Sequence, residues 1–241
     1  METVLTPPSL GFVIGRHIAN ASHANLCFRA YSSIRRFYPD NLILIVDDGS
    51  SMPDPHRYDY RTIVVNSNAR GSGEFGLYYY YYITRLFDRA VFLHDSMVIK
   101  KPLQLPPLPV TFLWHFNRHK ALHVVKSEIE TLLAALADRG DAERKYRSNT
   151  WLGMYGCCCV VTWDCLDKIV QKYKLFALLP SVNSRILRCA MERVLGFLFS
   201  EELDRTSPSL NGDIFHFPGA FERTHLLSKH NGYMDKTWHG R

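Results

Sequence analysis

The chain has 241 residues, 46% of them hydrophobic, and its 29 Lys and Arg outnumber 23 Asp and Glu for a formal net charge of +6. That length suits one well-buried domain and is short for two, and no stretch approaches the run of about 20 apolar residues needed for a membrane-spanning helix. The basic residues are scattered, with no block of five or more like charges. This disfavours a nucleic-acid-binding face and leaves binding of a phosphorylated small molecule open.

In chain order, Leu10–Ile14 reads as a first strand and His23–Phe37 as a helix with Leu26, Ala30, Ile34 and Phe37 on one face. Tyr38-Pro39-Asp40-Asn41 stops that helix, and Leu42–Val46 is a second, wholly apolar strand. Thr62–Val65 is a third. Gly73–Phe87 is predicted helical despite its tyrosines at 78–82, because it is too long for a typical strand; the tyrosines read as core and surface aromatics of that helix. Ala90–Leu93 and, after a proline-rich loop, Val110–Trp114 are further strands. Strands alternating with helices imply an α/β fold with a mostly parallel central sheet flanked by helices.

The second half is less regular. Ala121–Ala137 is predicted helical, Gly140–Asn149 a polar, mobile linker, and Trp151–Val161 a turn and strand. Asp164–Tyr173 is a short helix and Ser184–Phe199 a well-patterned one, while Gly212–Arg241 mixes a short strand with an aromatic and basic tail. With no repeat and no boundary visible, 1–241 reads as a single domain. The six cysteines, three of them consecutive at 157–159 and none in a Cys-x-x-Cys pair, read as reduced small hydrophobes. The opening Met1–Pro8 lacks the basic-then-apolar pattern of a signal peptide. These features predict a soluble, cytoplasmic protein.

Two strands end on acids: the second in Val46-Asp47-Asp48-Gly49-Ser50, the fourth in Leu93-His94-Asp95-Ser96. In open α/β sheets the crevice at the carboxyl ends of the strands takes the ligand. Carboxylates at 47 and 48 can accept hydrogen bonds from a base or a ribose, although the same segment also makes an Asx-type turn. Gly71-Ser72-Gly73-Glu74 follows the third strand and opens a helix, where glycines admit a close ligand and the helix N-terminus favours an anion. An ordinary capped helix start, with Ser72 as N-cap, is the alternative. Together these segments suggest a site for a nucleotide carrying a diphosphate. Trp151-Leu152-Gly153-Met154-Tyr155-Gly156 offers either an exposed indole for a sugar ring or a buried Trp in a turn.

The order of parts is Gly15-Arg16-His17 after the first strand, Val-Asp-Asp-Gly-Ser on the second, the Gly71–Glu74 helix start, then Leu-His-Asp-Ser at 93–96. It resembles the GT-A fold of nucleotide-sugar-dependent glycosyltransferases, including small ones that large DNA viruses encode to decorate their own glycoproteins. Residues 1–115 carry the resemblance well and the remainder loosely. It implies a Rossmann-like domain with a nucleotide-sugar-binding half at 1–115 and an acceptor-binding half with a C-terminal tail at 116–241. It also implies transfer of a sugar from a UDP- or GDP-type donor to a hydroxyl of a glycan or glycoprotein, assisted by Mn²⁺ or Mg²⁺.

On that resemblance Asp47 and Asp48 hold the nucleoside, and Gly15 and Arg16 with Gly71, Ser72, Gly73 and Glu74 hold the ribose and diphosphate. His94-Asp95-Ser96 matches an Asp-x-Asp-like motif in which only Asp95 is a clear carboxylate ligand for the cation, Ser96 helping through a bound water. His239 is a further candidate metal ligand from the tail, with His216 its alternative. Glu192, within Ala-Met-Glu-Arg, is the candidate base if the reaction inverts configuration, with Asp164 and Asp167 as rivals; the alternative is an acid merely solvated or paired with Arg188. A sugar nucleotidyltransferase is a second reading, although Gly11–His17 has only a trace of the loop that class needs. A non-catalytic nucleotide-sugar- or carbohydrate-binding protein is a third, suggested by Ser96 in place of a second carboxylate.

Overall fold

The computed structural model describes residues 9–119, 122–148, 150–216, 226–227 and 232–237. Its elements are β1 (Leu10–Arg16), α1 (Ala21–Phe37), β2 (Ile43–Asp47), β3 (Thr62–Asn66), α2 (Glu74–Thr84), β4 (Arg89–His94), β5 (Met97–Ile99), β6 (Val110–Phe112) and β7 (His115–Asn117). They continue with α3 (Leu122–Ala134), α4 (Arg139–Arg147), β8 (Leu152–Met154), β9 (Cys159–Thr162), α5 (Trp163–Tyr173), α6 (Arg185–Leu198), β10 (Leu226–Leu227) and β11 (Met234–Thr237).

The central sheet runs β3-β2-β1-β4-β9-β6. The first four strands are parallel, and β9 runs antiparallel to both β4 and β6. Both faces are covered, which explains why β1, β2 and β4 read as apolar runs rather than alternating ones. Phe12, Ile14, Ile43, Ile45, Val91 and Leu93 pack on one face with Cys27, Tyr31 and Ile34 of α1. Val13, Leu44, Val46, Ala90 and Phe92 face the other way, against α2, α5 and α6. The tyrosine run divides accordingly: Tyr78, Tyr80 and Tyr81 are buried, while Tyr79 and Tyr82 are half-buried against the same core.

From β1 the chain winds outward through β2 to β3, then crosses back to place β4 on the other side of β1. The carboxyl ends of β1 and β4 therefore lie at the point where the winding reverses, the position where open α/β sheets leave a crevice. Register sets Arg16 beside Asp47 and Gly15 beside both Val46 and His94.

One segment differs from the sequence expectation. Residues 140–147 of the expected linker belong to α4, because Asp138 caps it by accepting the N–H of Asp141 and Arg139–Glu143 and Glu143–Arg147 pairs support it. Lys145 anchors α4 inward, donating to the Leu198 carbonyl at 3.3 Å and pairing with Glu201 at 2.9 Å. Trp151 is buried, not exposed, and its indole N–H donates to the Tyr146 carbonyl at 2.8 Å. Near the chain's end β11 pairs antiparallel with β5, setting Lys236 opposite Met97. Among the described residues all six cysteines are free and no helix is long and apolar enough to cross a membrane.

Candidate active site

A cleft of about 1210 Å³ opens at the ends of β1 and β4. Gly15, Arg16, His94, Asp95 and Ser96 line it from the sheet, Gly71, Gly73 and Glu74 from the start of α2, and Arg188 and Glu192 from α6. Tyr155 and Gly156 from the turn after β8 and Lys236 from β11 complete this part of the lining.

Asp48 organises the glycine loop. Its carboxylate accepts the N–H of Gly71 at 2.8 Å and of Gly73 at 2.9 Å, so the N–H groups expected to face an anion are held by the protein's own carboxylate. Arg188 holds the loop from the other side, donating to the Gly71 carbonyl at 2.8 Å. Gly73 is needed here: its φ is +56°, and a Cβ would lie 2.3 Å from Arg188 Cδ. Burial raises the Asp48 carboxyl above its ordinary value against the opposing pull of those N–H groups and of Arg188.

Glu74, the first residue of α2, reaches His94 Nε2 at 3.2 Å. The same nitrogen meets the Gly156 carbonyl at 2.9 Å, and His94 Nδ1 lies 3.1 Å from Lys236 Nζ. Two acceptors on Nε2 and an ammonium on Nδ1 assign the neutral Nε2–H tautomer. Burial and then Lys236 push the imidazole below its ordinary value, in keeping with that assignment. Glu74 is held below the ordinary glutamate value: burial works to raise it, but His94, a backbone N–H, Arg188 and Lys236 outweigh burial.

Glu192 is different. Its Oε1 accepts the Gly156 N–H at 2.8 Å and its Oε2 accepts from Arg193 at 3.1 Å. Burial pushes its carboxyl up to about 7, with Glu74 adding to the rise and Arg193, the Gly156 N–H and Lys236 opposing it. Two carboxyls at one cleft thus have proton affinities driven apart, a pattern of acid–base sites. The partner expected for Glu192 was Arg188; Arg193 takes that place because Arg188 is engaged at Gly71.

The sequence candidates fall into three groups. Gly15, Arg16, Asp48, Gly71, Gly73, Glu74, His94, Asp95, Ser96 and Glu192 come together around the cleft. Asp47 and Ser72 do not join its lining. Asp47 is buried against Arg16 Nε at 2.7 Å and takes both the N–H and the hydroxyl of Ser50 at 2.7 Å. Ser72 lies 1% exposed beneath the loop, and Gly73 rather than Ser72 is the N-cap of α2. Arg16 faces the cleft, yet its guanidinium also pairs with Asp54 at 2.8 Å. His239 lies outside the described residues. The rivals to Glu192 lie elsewhere: Asp167 accepts the Tyr82 hydroxyl at 2.7 Å and Asp164 stands 3.8 Å from Arg85.

Sequence reasoning committed to neither Lys236 nor Gly156. The burial of β11 alternates, with Met234 and Lys236 inward. A lysine at an inward strand position was the one available signal.

A resident divalent cation does not fit the described side chains. Among them no group of three or more His, Cys, Asp or Glu residues is arranged to hold a metal ion. Asp95 supplies one carboxylate, whose Oδ2 accepts the His17 N–H at 3.3 Å, and both nitrogens of His94 are engaged. The ammonium of Lys236 adds positive charge to the same corner.

No family model matches the sequence, and no curated protein does. Among solved structures, the chain is similar to the galactosyltransferase LgtC in complex with donor and acceptor sugar analogs, at 10% identity over 80% of this chain and 71% of that one, with a TM-score of 0.44. It is also similar to an active-site mutant of LgtC, at 10% identity over 77% and 70% of the two chains, with a TM-score of 0.42.

Proposed function

We propose that this protein is a glycosyltransferase of the hexosyltransferase class that moves a sugar from a nucleoside-diphosphate sugar, of UDP or GDP type, to a hydroxyl of a glycan or glycoprotein. The observation that carries the reading is Glu192, a half-buried carboxyl whose partial burial brings it up to about 7 at the cleft where the sheet's winding reverses. A carboxylate with that affinity is half ionised near neutral pH and is poised to accept a proton from an alcohol under attack.

In this reading the donor lies along the ends of β1 and β4, against the loop that Asp48 and Arg188 hold. The acceptor hydroxyl gives its proton to Glu192 while its oxygen bonds to the anomeric carbon. The bond from that carbon to the diphosphate breaks, and its electron pair leaves with the phosphate oxygen. Glu192 is then the base of an inverting transfer. Glu74, kept ionised beside His94, places negative charge near the carbon that becomes electron-deficient. Arg188 and Lys236 supply positive charge for the departing diphosphate. The divalent cation implied by the resemblance has no step here, because the donor set does not fit it.

Incubation with a panel of UDP- and GDP-sugars and simple glycan acceptors tests this. Release of nucleoside diphosphate with formation of a product of inverted anomeric configuration is the expected result. Turnover of a nucleoside triphosphate with a sugar phosphate, without transfer, would replace the reading with a nucleotidyltransferase.

A further inference from the structure

Lys236 is 4% exposed, yet it lines the cleft. It arrives on a paired strand: β11 is antiparallel to β5, and the Thr237 N–H donates to the Ser96 carbonyl at 2.9 Å. That pairing fixes a residue 142 positions from His94 against the end of β4. An ammonium has three hydrogens to donate. Among the described residues the one hydrogen bond of Lys236 Nζ goes to His94 Nδ1 at 3.1 Å. Burial takes its proton affinity below the ordinary lysine value, with Glu74, Asp95 and Glu192 opposing from around the cleft. A lysine is rarely buried to this degree unless its charge is used or paired.

Asp95 is the carboxylate expected to hold a cation, and among the described residues no group of three His, Cys, Asp or Glu side chains forms around it. Lys236 stands in the same corner. Resting on the glycosyltransferase reading above, we infer that Lys236 is a built-in cation: its ammonium binds the donor's diphosphate where a divalent metal would otherwise sit, and donor binding is independent of added metal. The chemistry recognised is a nucleoside diphosphate. His94 is a positioning residue, its Nδ1 lone pair aiming one ammonium hydrogen so that the others face the cleft. Glu74 and Asp95 oppose the burial that disfavours the ammonium.

The test is calorimetric binding of UDP and of GDP to the full chain, each in EDTA and each with Mn²⁺. The wild type is expected to bind one of the two with the same affinity in both conditions. Lys236→Met, matched in length and without charge, is expected to weaken binding in EDTA by about 10- to 100-fold, the usual range for losing a hydrogen bond to a charged group. Lys236→Arg keeps the charge and retains more of the affinity. Because Lys236→Met alters a buried site, Asp95→Asn provides an independent arm. There the comparison of Mn²⁺ with EDTA is the readout: the two affinities stay equal in the variant as in the wild type, whereas a cation site on Asp95 would show Mn²⁺-enhanced binding in the wild type that the variant loses. Wild-type binding that requires Mn²⁺, or that Mn²⁺ tightens about tenfold or more in the wild type but not in Asp95→Asn, overturns the inference and leaves the glycosyltransferase reading standing. Absence of UDP and GDP binding in every condition removes both.

Discussion

Glu192 and His94 are joined through one residue: the N–H of Gly156 donates to Glu192 Oε1 at 2.8 Å, and its carbonyl lies 2.9 Å from His94 Nε2. The base on α6 and the polar cluster at the end of β4 are therefore set relative to each other by a turn. The turn depends on glycine, since φ at 156 is +60° and a Cβ there would lie 2.5 Å from His94 Nε2. Displacing Gly156 disturbs both partners at once.

Gly156→Ala is accordingly expected to lower transfer activity by far more than it lowers stability. Left-handed strain at a non-glycine residue costs on the order of 1–3 kcal/mol, which shifts Tm by only several degrees in a chain of this size. Parallel melting curves and rates check this. Activity that falls only in step with stability would leave the turn a structural role alone.

Glu192 gives a pH dependence with a fixed sign. As a base with a value of about 7, it makes kcat/KM rise as pH increases through that value and level off above it. Glu192→Gln removes this limb and lowers kcat by roughly 10²- to 10⁴-fold. Stability runs the opposite way. The folded value lies above the ordinary 4.5, so the contribution of this group is full below 4.5 and is lost as pH rises through about 7. Unfolding free energies at pH 4.5 and pH 8 should fall by on the order of 3 kcal/mol less in Glu192→Gln than in the wild type.

Arg16 and Asp47 form a buried ion pair at 2.7 Å, with Asp54 on the same guanidinium. Removing one member strands buried charge, so Arg16→Met is expected to cost about 3–5 kcal/mol in denaturant unfolding. A loss below about 1 kcal/mol would mean that Arg16 is held for the ligand rather than for the fold.

The parts of this molecule visible in its sequence are those whose cause is local. β1, β2 and β4 are buried on both faces and show as apolar runs, and acids at the ends of β2 and β4 mark the cleft because the chain must turn there. Glu192 was singled out by the resemblance, which implies a base late in the fold on or beside a helix; the two-sided pattern of α6 showed only that the helix was there. What depends on distant partners stayed hidden. Nothing adjacent to Lys236 announces that β11 pairs with β5, and α4 is held by Lys145 reaching the end of α6 rather than by an apolar stripe of its own. Asp48 shows the limit in another way: its position after β2 was legible, but its engagement with Gly71 and Gly73 follows from how β2 and the start of α2 meet. The Trp151 indole was open to two readings because its partner, the Tyr146 carbonyl, belongs to a helix that the polar sequence concealed.

Release of nucleoside diphosphate from UDP- and GDP-sugars in the presence of a glycan acceptor, compared between wild type and Glu192→Gln at pH 8, tests the central claim most directly. The expected result is acceptor-dependent release by the wild type and its loss in the variant, with both proteins folded. Equal release by the two, or none from the folded wild type with any donor, would contradict it.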